Sequence, residues 1–191
     1  MTLLAGRLAS RWILSTALIA AATLAGILSV QAQSGTAPAP SQPFLQARAA
    51  FDQAWESSEL AFDTVTLTDG ASQGYGHYTP RANASFADGE TLSVYAEPVG
   101  YGFRQNGDEY AYELTASYRL LTPSGQVLAE QGNFATFAGS GRSKKRELSA
   151  SLNFQFSGLP AGEYRLEANF TDTVGGKQAG FTLPFTVTAA N

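Results

Sequence analysis

Two-residue periodicity dominates the second two-thirds of this chain. Tyr110, Tyr112, Leu114, Ala116, Tyr118 and Leu120 fall on one side of an extended segment, while Ala111, Glu113, Thr115, Ser117 and Arg119 fall on the other. Such alternation buries one face of a strand and wets the other, and it excludes a helix over the same residues. The pattern recurs through Leu92, Val94 and Ala96, through Leu148 to Phe156, through Tyr164 to Phe170 and through Phe181 to Val187. An earlier run, Leu60-Phe62 with Val65-Leu67, predicts a first strand ending at the Asp69-Gly70 turn. Gln126 to Phe137 reads as a weaker strand pair or one bent strand interrupted at Gly132. Pro123-Ser124-Gly125, Pro160-Ala161-Gly162 and Gly175-Gly176 supply the turns between runs. Pro184 inside the last run predicts an edge position or a bulge there. Seven or eight strands with regular turn spacing imply an all-β, two-sheet antiparallel sandwich over 59–191.

One segment keeps helical spacing. Phe44, Ala47, Phe51 and Trp55 recur at intervals of three and four, which predicts a short amphipathic helix over 43–58. Ser41 suits its cap and Pro43 its first turn. Packing over an edge or end of the sheet is the simple expectation; the sharper one is a partner-docking helix anchored by Phe51 and Trp55.

The start of the chain reads as an export signal. Arg7 and Arg11 precede an uncharged, mostly apolar run from Trp12 to Val30. Val30 and Ala32 sit where signal peptidase reads small residues, so 1–32 is predicted to be a signal peptide cut after Ala32. A retained membrane anchor is the alternative, because the run approaches the ~20 residues that span a bilayer. The Ala/Pro-rich stretch 33–42 is a flexible linker. The expected location is the periplasm or cell envelope, with no stable transmembrane anchor after cleavage. With no cysteine, the chain has neither a disulfide framework nor a cysteine for lipid attachment. A formal charge of −4, more negative once Arg7 and Arg11 are removed, disfavours nucleic acid as a general partner.

Two local patterns carry resemblances. Ala161-Gly162-Glu163-Tyr164-Arg165-Leu166 resembles the segment of immunoglobulin-like domains in which a tyrosine hydroxyl bonds back to the backbone at a corner, and Tyr164 is accordingly a structural residue. The aspartate and cysteine of antibody domains are missing from it. Gly74 to Arg81, Phe86, Gly89-Glu90 and Val94 to Pro98 resemble a pattern of uncharacterised exported bacterial proteins with an immunoglobulin-like β-sandwich domain. That resemblance implies fold and compartment and adds no mechanism.

The candidate binding surface gathers Tyr75, His77, Tyr78 and Arg81 from one loop with Glu97, Tyr101 and Phe103 from another. Loop aromatics offer flat apolar faces, and Arg and Glu offer oriented hydrogen bonds, a combination suited to a peptide or a sugar ring. The competing expectation is that the aromatics plug one end of the sandwich and that Arg81 pairs with Glu97 or Glu90. The basic patch Arg142, Lys144, Lys145 and Arg146 follows Gly139-Ser140-Gly141, which places it on a mobile loop; a solvated loop is the simple expectation, and contact with anionic lipid headgroups, acidic glycans or an acidic partner the sharper one. Asp69, Asp88, Glu90, Asp108 and Glu109 lie near turns without calcium-loop spacing, so no metal or other cofactor is expected. His77 is the single histidine, and no nucleophile elbow or phosphate-cradling motif occurs. The expected role is non-catalytic: an exported module that binds an envelope protein or builds an assembly. A carbohydrate-binding module using Tyr75, Tyr78 and Tyr101 is the alternative. A glycan-acting hydrolase using Glu90 and Glu97 is a distant third.

Overall fold

In the computed structural model, residues 37–189 are described, so the predicted signal segment and the start of the linker lie outside them. The contact map separates a unit spanning Pro40–Asn191 from the residues before it. That unit is mostly β, with two sheets and one helix. Residues 37–40 have no regular structure and are exposed. Helix α1 then runs Gln42–Ser57, with Ser41 Oγ accepting from the Phe44 N–H and proline in the first turn, as the sequence predicts.

Among the described residues nine strands follow, against the seven or eight expected: β1 Ala61–Thr68, β2 Ser85–Ala87, β3 Thr91–Val99, β4 Arg104–Asn106, β5 Glu109–Leu121, β6 Val127–Gly141, β7 Ala150–Gln155, β8 Gly162–Asp172 and β9 Gln178–Thr188. The extra strands are β2 and β4, three residues each and too short to show a period. One sheet has the order β1-β3-β7, the other β2-β9-β8-β5-β4, with β6 on the remaining edge of β5. The pairing is antiparallel except between β2 and β9.

The inner faces of the two sheets form one core. Leu92, Val94, Ala96, Leu152 and Phe154 come from the smaller sheet, and Leu114, Ala116, Leu166, Ala168 and Phe170 from the larger. Phe62 meets Phe170 edge-on at 5.1 Å, and Tyr118 meets Phe154 at 5.1 Å. Tyr164 donates to the Pro160 carbonyl at 2.7 Å, the structural role its local pattern implies. Pro184 lies on β9 just before β2 begins to pair at Thr186, where its missing N–H disrupts no ladder on that side.

Two segments depart from simple alternation. Strand β3 is buried on both faces from Leu92 to Pro98, because the connection between β1 and β2 folds over its outer side. Strand β6 is one long bent strand: its register with β5 breaks between the Ala116–Ala135 and Tyr118–Gln131 pairs, where Asn133 takes φ 49°. The extra residues form a bulge, which resolves the ambiguity at Gly132 in favour of the bent strand.

Candidate functional site

The seven residues expected to form one binding surface divide between two places. The β1–β2 connection is pinned by backbone bonds from Asp69 to Thr79 (2.9 Å), Gln73 to His77 (2.9 Å) and Arg81 to Leu67 (2.9 Å). Tyr78 stacks on Tyr95 with centroids 4.1 Å apart, and the Gly76 N–H donates to Tyr95 Oη at 2.7 Å. Tyr95 in turn donates to the buried Glu97 carboxylate. Burial, and then the bond to Glu97, push the Tyr95 hydroxyl up to about 12. Tyr78 and Glu97 therefore fasten the loop to the sheet. Tyr75 and His77 are left exposed at its tip, beside a shallow groove of about 330 Å³ lined by Asp69, Gln73, His77 and Thr79. Partial burial first, and the carboxylates of Glu97, Asp63 and Glu147 after it, raise the Tyr75 hydroxyl.

Arg81 takes the structural option. Its guanidinium reaches Glu90 at 2.8 Å and the Ser85 carbonyl at 2.7 Å, and lies 4.1 Å from the centre of the Phe86 ring. Glu90 also accepts from the Ala87 N–H, the larger of the two causes that hold its carboxyl below the usual range; the Arg81 bond adds to it. Glu90 and Glu97 lie seven residues apart along an extended segment, roughly 23 Å at ~3.3 Å per residue. That is well beyond the separation at which two carboxylates flank one glycosidic bond.

Tyr101 and Phe103 belong to a different cluster, beneath the C-terminal turn of α1. Tyr101 is not a loop aromatic open to a ligand: it is fully buried and donates to the Lys145 carbonyl at 2.8 Å. Trp55 packs edge-on against it at 5.1 Å, and the Trp55 indole N–H donates to the Tyr101 carbonyl at 2.8 Å. Phe103 is half-buried against Tyr101 and Tyr112. Burial raises the Tyr101 hydroxyl strongly and that of Tyr112 in the same direction.

The basic run also differs from expectation. Gly139, Ser140 and Gly141 close β6 in register with Tyr112, Ala111 and Tyr110, so they are ladder residues and not a mobile hinge. Lys144 then pairs with Glu56 at 2.5 Å and Arg146 with Asp52 at 2.7 Å. The Arg146 guanidinium also sits over the rings of Phe51 and Trp55, at 5.1 and 5.4 Å. Half of the patch is thus spent on holding α1, and Arg142 and Lys145 remain exposed.

Lys177, which lies outside the expected site residues, completes the attachment. Its ammonium donates to the carbonyls of Glu56 (3.3 Å), Ser58 (2.5 Å) and Gly100 (2.7 Å). A cation there satisfies carbonyls that the end of a helix leaves without partners. Asp52 and Glu56 were missed as well. Their spacing of four puts both on one helix face, and the alternation Lys144, Arg146 puts both cations on one side of an extended segment, so the match was readable as charge complementarity.

Only the last turn of the helix stripe is used by this clamp. Trp55 is 8% exposed, whereas Phe51 is 52% and Phe44 54% exposed, and Ala47 is also open. Phe51 borders a groove of about 410 Å³ whose other wall is Lys144 to Glu147. The clamped helix therefore presents an apolar stripe with cations along one flank. Among the described residues no group of three or more His, Asp or Glu is placed to hold a metal, and no helix is long and apolar enough to cross a membrane. No protein-family model matches the chain, and no curated protein matches it.

Proposed function

We propose that this chain is a non-catalytic, exported protein-interaction module of the cell envelope, and that the open face of α1 is its docking surface. The observation that carries the reading is the contrast along a single stripe: Trp55 is buried and clamped while Phe44 and Phe51 stay half exposed. Large apolar side chains held on a fixed helix incur a solvation cost that a partner's apolar groove removes. The partner's chemistry follows from the flank: an apolar groove with an acidic rim that meets Lys145 beside Phe51 and the exposed Arg48, which follows Ala47 on the helix.

The sandwich is read as immunoglobulin-like, in keeping with the resemblance to exported bacterial proteins of that class. Three observations support this: the partition β1-β3-β7 against β2-β9-β8-β5, the parallel pairing of β2 with the final strand, and the Tyr164 corner at the start of β8. The glycan-binding alternative loses ground, because Tyr101 has no exposed ring face and Tyr78 is stacked on Tyr95.

The test is site-specific photo-crosslinking in cells. A crosslinker at Phe44 or Phe51 should capture one envelope protein that a crosslinker at Thr182, on exposed β9, does not. Phe44→Ser/Phe51→Ser, shown to be folded, should abolish co-purification of that protein. Equal capture from both positions, or undiminished co-purification with the double variant, rejects the α1 reading.

A further inference from the structure

Strand β6 presents an unusually bare edge. It pairs with β5 along one side, and no strand pairs with its other side among the described residues. Three of the other edges are blunted: β2 has three residues, β9 contains Pro184, and β1 shifts register around Asp63. Short strands, prolines and bulges are the usual protections against edge-to-edge pairing. C-terminal to its two register shifts against β5, near Val127–Ala129 and at Gln131–Ala135, β6 has none of them. Ala135–Gly141 stay in unbroken register with β5, and Gln131 to Gly141 contain no charge and no proline. Within Ala135–Gly141 the exposed positions are Thr136, Ala138 and Ser140, small enough to let another backbone approach.

We infer that β6 pairs with the β6 of a second copy of this chain, antiparallel, joining the two larger sheets into one. The charges at the ends of the strand argue for a second copy. Glu130 stands at one end and Arg142 with Lys145 at the other, all exposed and, among the described residues, none within ion-pair distance of an opposite charge. Arg119, the cross-strand neighbour of Glu130, is drawn instead to Glu167 at 2.6 Å. In an antiparallel pair the acidic end of each copy meets the basic end of the other; a parallel pair would set like against like. The strand is thus complementary to its own reverse, the property an isologous two-fold interface needs, and such pairing closes at two copies without propagating into a fibre. The inference goes beyond the α1 reading; exposed cations of the basic run serve in both, but the variants that test them differ, at Phe44 and Phe51 there and at Thr136 to Ser140 here, so either can fail alone.

The absence of cysteine makes the test clean, because any engineered thiol can oxidise only with its copy in another chain. The exported protein should have the mass of a dimer by light scattering at roughly 100 µM, where a micromolar affinity populates the pair. Thr136→Cys, Ala138→Cys or Ser140→Cys should form a disulfide-linked dimer at least tenfold faster than Thr182→Cys on the far strand β9. The position that reacts fastest locates the two-fold axis. Ala138→Lys/Ser140→Lys should shift the mass to that of a monomer with its thermal midpoint unchanged. A wild-type monomer at that concentration overturns the inference. So does equal crosslinking at Thr182→Cys, or a folded lysine variant that remains dimeric.

Discussion

Replacing Trp55 with alanine removes most of what ties α1 to the sandwich. The side chain is 8% exposed, packs edge-on against Tyr101 at 5.1 Å, and donates the 2.8 Å bond to the Tyr101 carbonyl. Truncating a buried aromatic of this size costs about 3–5 kcal/mol. The helix has no other buried residue, and an isolated helix of this length is marginal in water. The loss should therefore fall on α1 as a local opening while the two sheets stay folded. At ~1.4 kcal/mol per factor of ten, α1 amides should exchange about a hundred- to several-thousand-fold faster, limited by the opening free energy of the wild type. Native-state hydrogen exchange read by mass spectrometry reports this peptide by peptide. β3 and β8 peptides serve as the internal reference. Phe51→Ala is the control: its ring is half exposed, and its removal should slow or speed α1 exchange by no more than about tenfold. If α1 in Trp55→Ala exchanges as slowly as in the wild type, the indole is not the anchor and the clamp has been misassigned.

Three further outcomes follow from the same geometry. Lys177→Met leaves the helix-end carbonyls of Glu56 and Ser58, and that of Gly100 after β3, without their donor; it should lower stability by about 1–3 kcal/mol in urea titrations and raise α1 exchange, and an unchanged midpoint contradicts the capping role. Gly100 has φ +80°, and a Cβ there would stand 2.2 Å from the Glu59 carbonyl oxygen, so Gly100→Ala should cost about 2 kcal/mol or more; a variant as stable as the parent would show that the close approach is not needed. Tyr95 and Tyr101 have folded-state values raised above the unfolded value of about 10. Their contribution to stability is thus complete below pH ~10 and is lost as pH rises through the folded values, so the thermal midpoint should fall above pH ~10 and these two should ionise last among the eight tyrosines in an absorbance titration. A single common transition near 10 contradicts their burial.

The long strands were legible because each shows several alternations against a single core. β5, β8 and β9 bury the residues their period predicts. The helix was legible for the same reason, along with its cap at Ser41 and its proline. β3 misled because burial on both faces depends on a loop from elsewhere: Tyr95 and Glu97 alternate as solvent-side residues would, yet Tyr78 and Gly76 cover them. No local pattern reports a cover supplied from a distance in sequence. Tyr101 misled for a related reason. Glycines on both sides and a position just after a strand are marks of an open loop, and only the arrival of Trp55 from 46 residues away makes it core.

The basic run carries the same lesson into function. Read alone, Arg142 to Arg146 is a positive patch facing solvent or an anionic ligand. Its partners Glu56 and Asp52 lie on a helix 88 and 94 residues earlier, and pairing with them turns Lys144 and Arg146 from a recognition surface into an attachment. An exposed ion pair contributes little by itself. These two act beside the Trp55 anchor and the Lys177 cap, and their geometry sets which way the helix faces. Arg146 stacks on Phe51 and Trp55 from one side, so Phe44, Ala47 and the free half of Phe51 are turned outward. Two of the four charges in the run thus orient the apolar stripe, and Arg142 and Lys145 are the two left exposed.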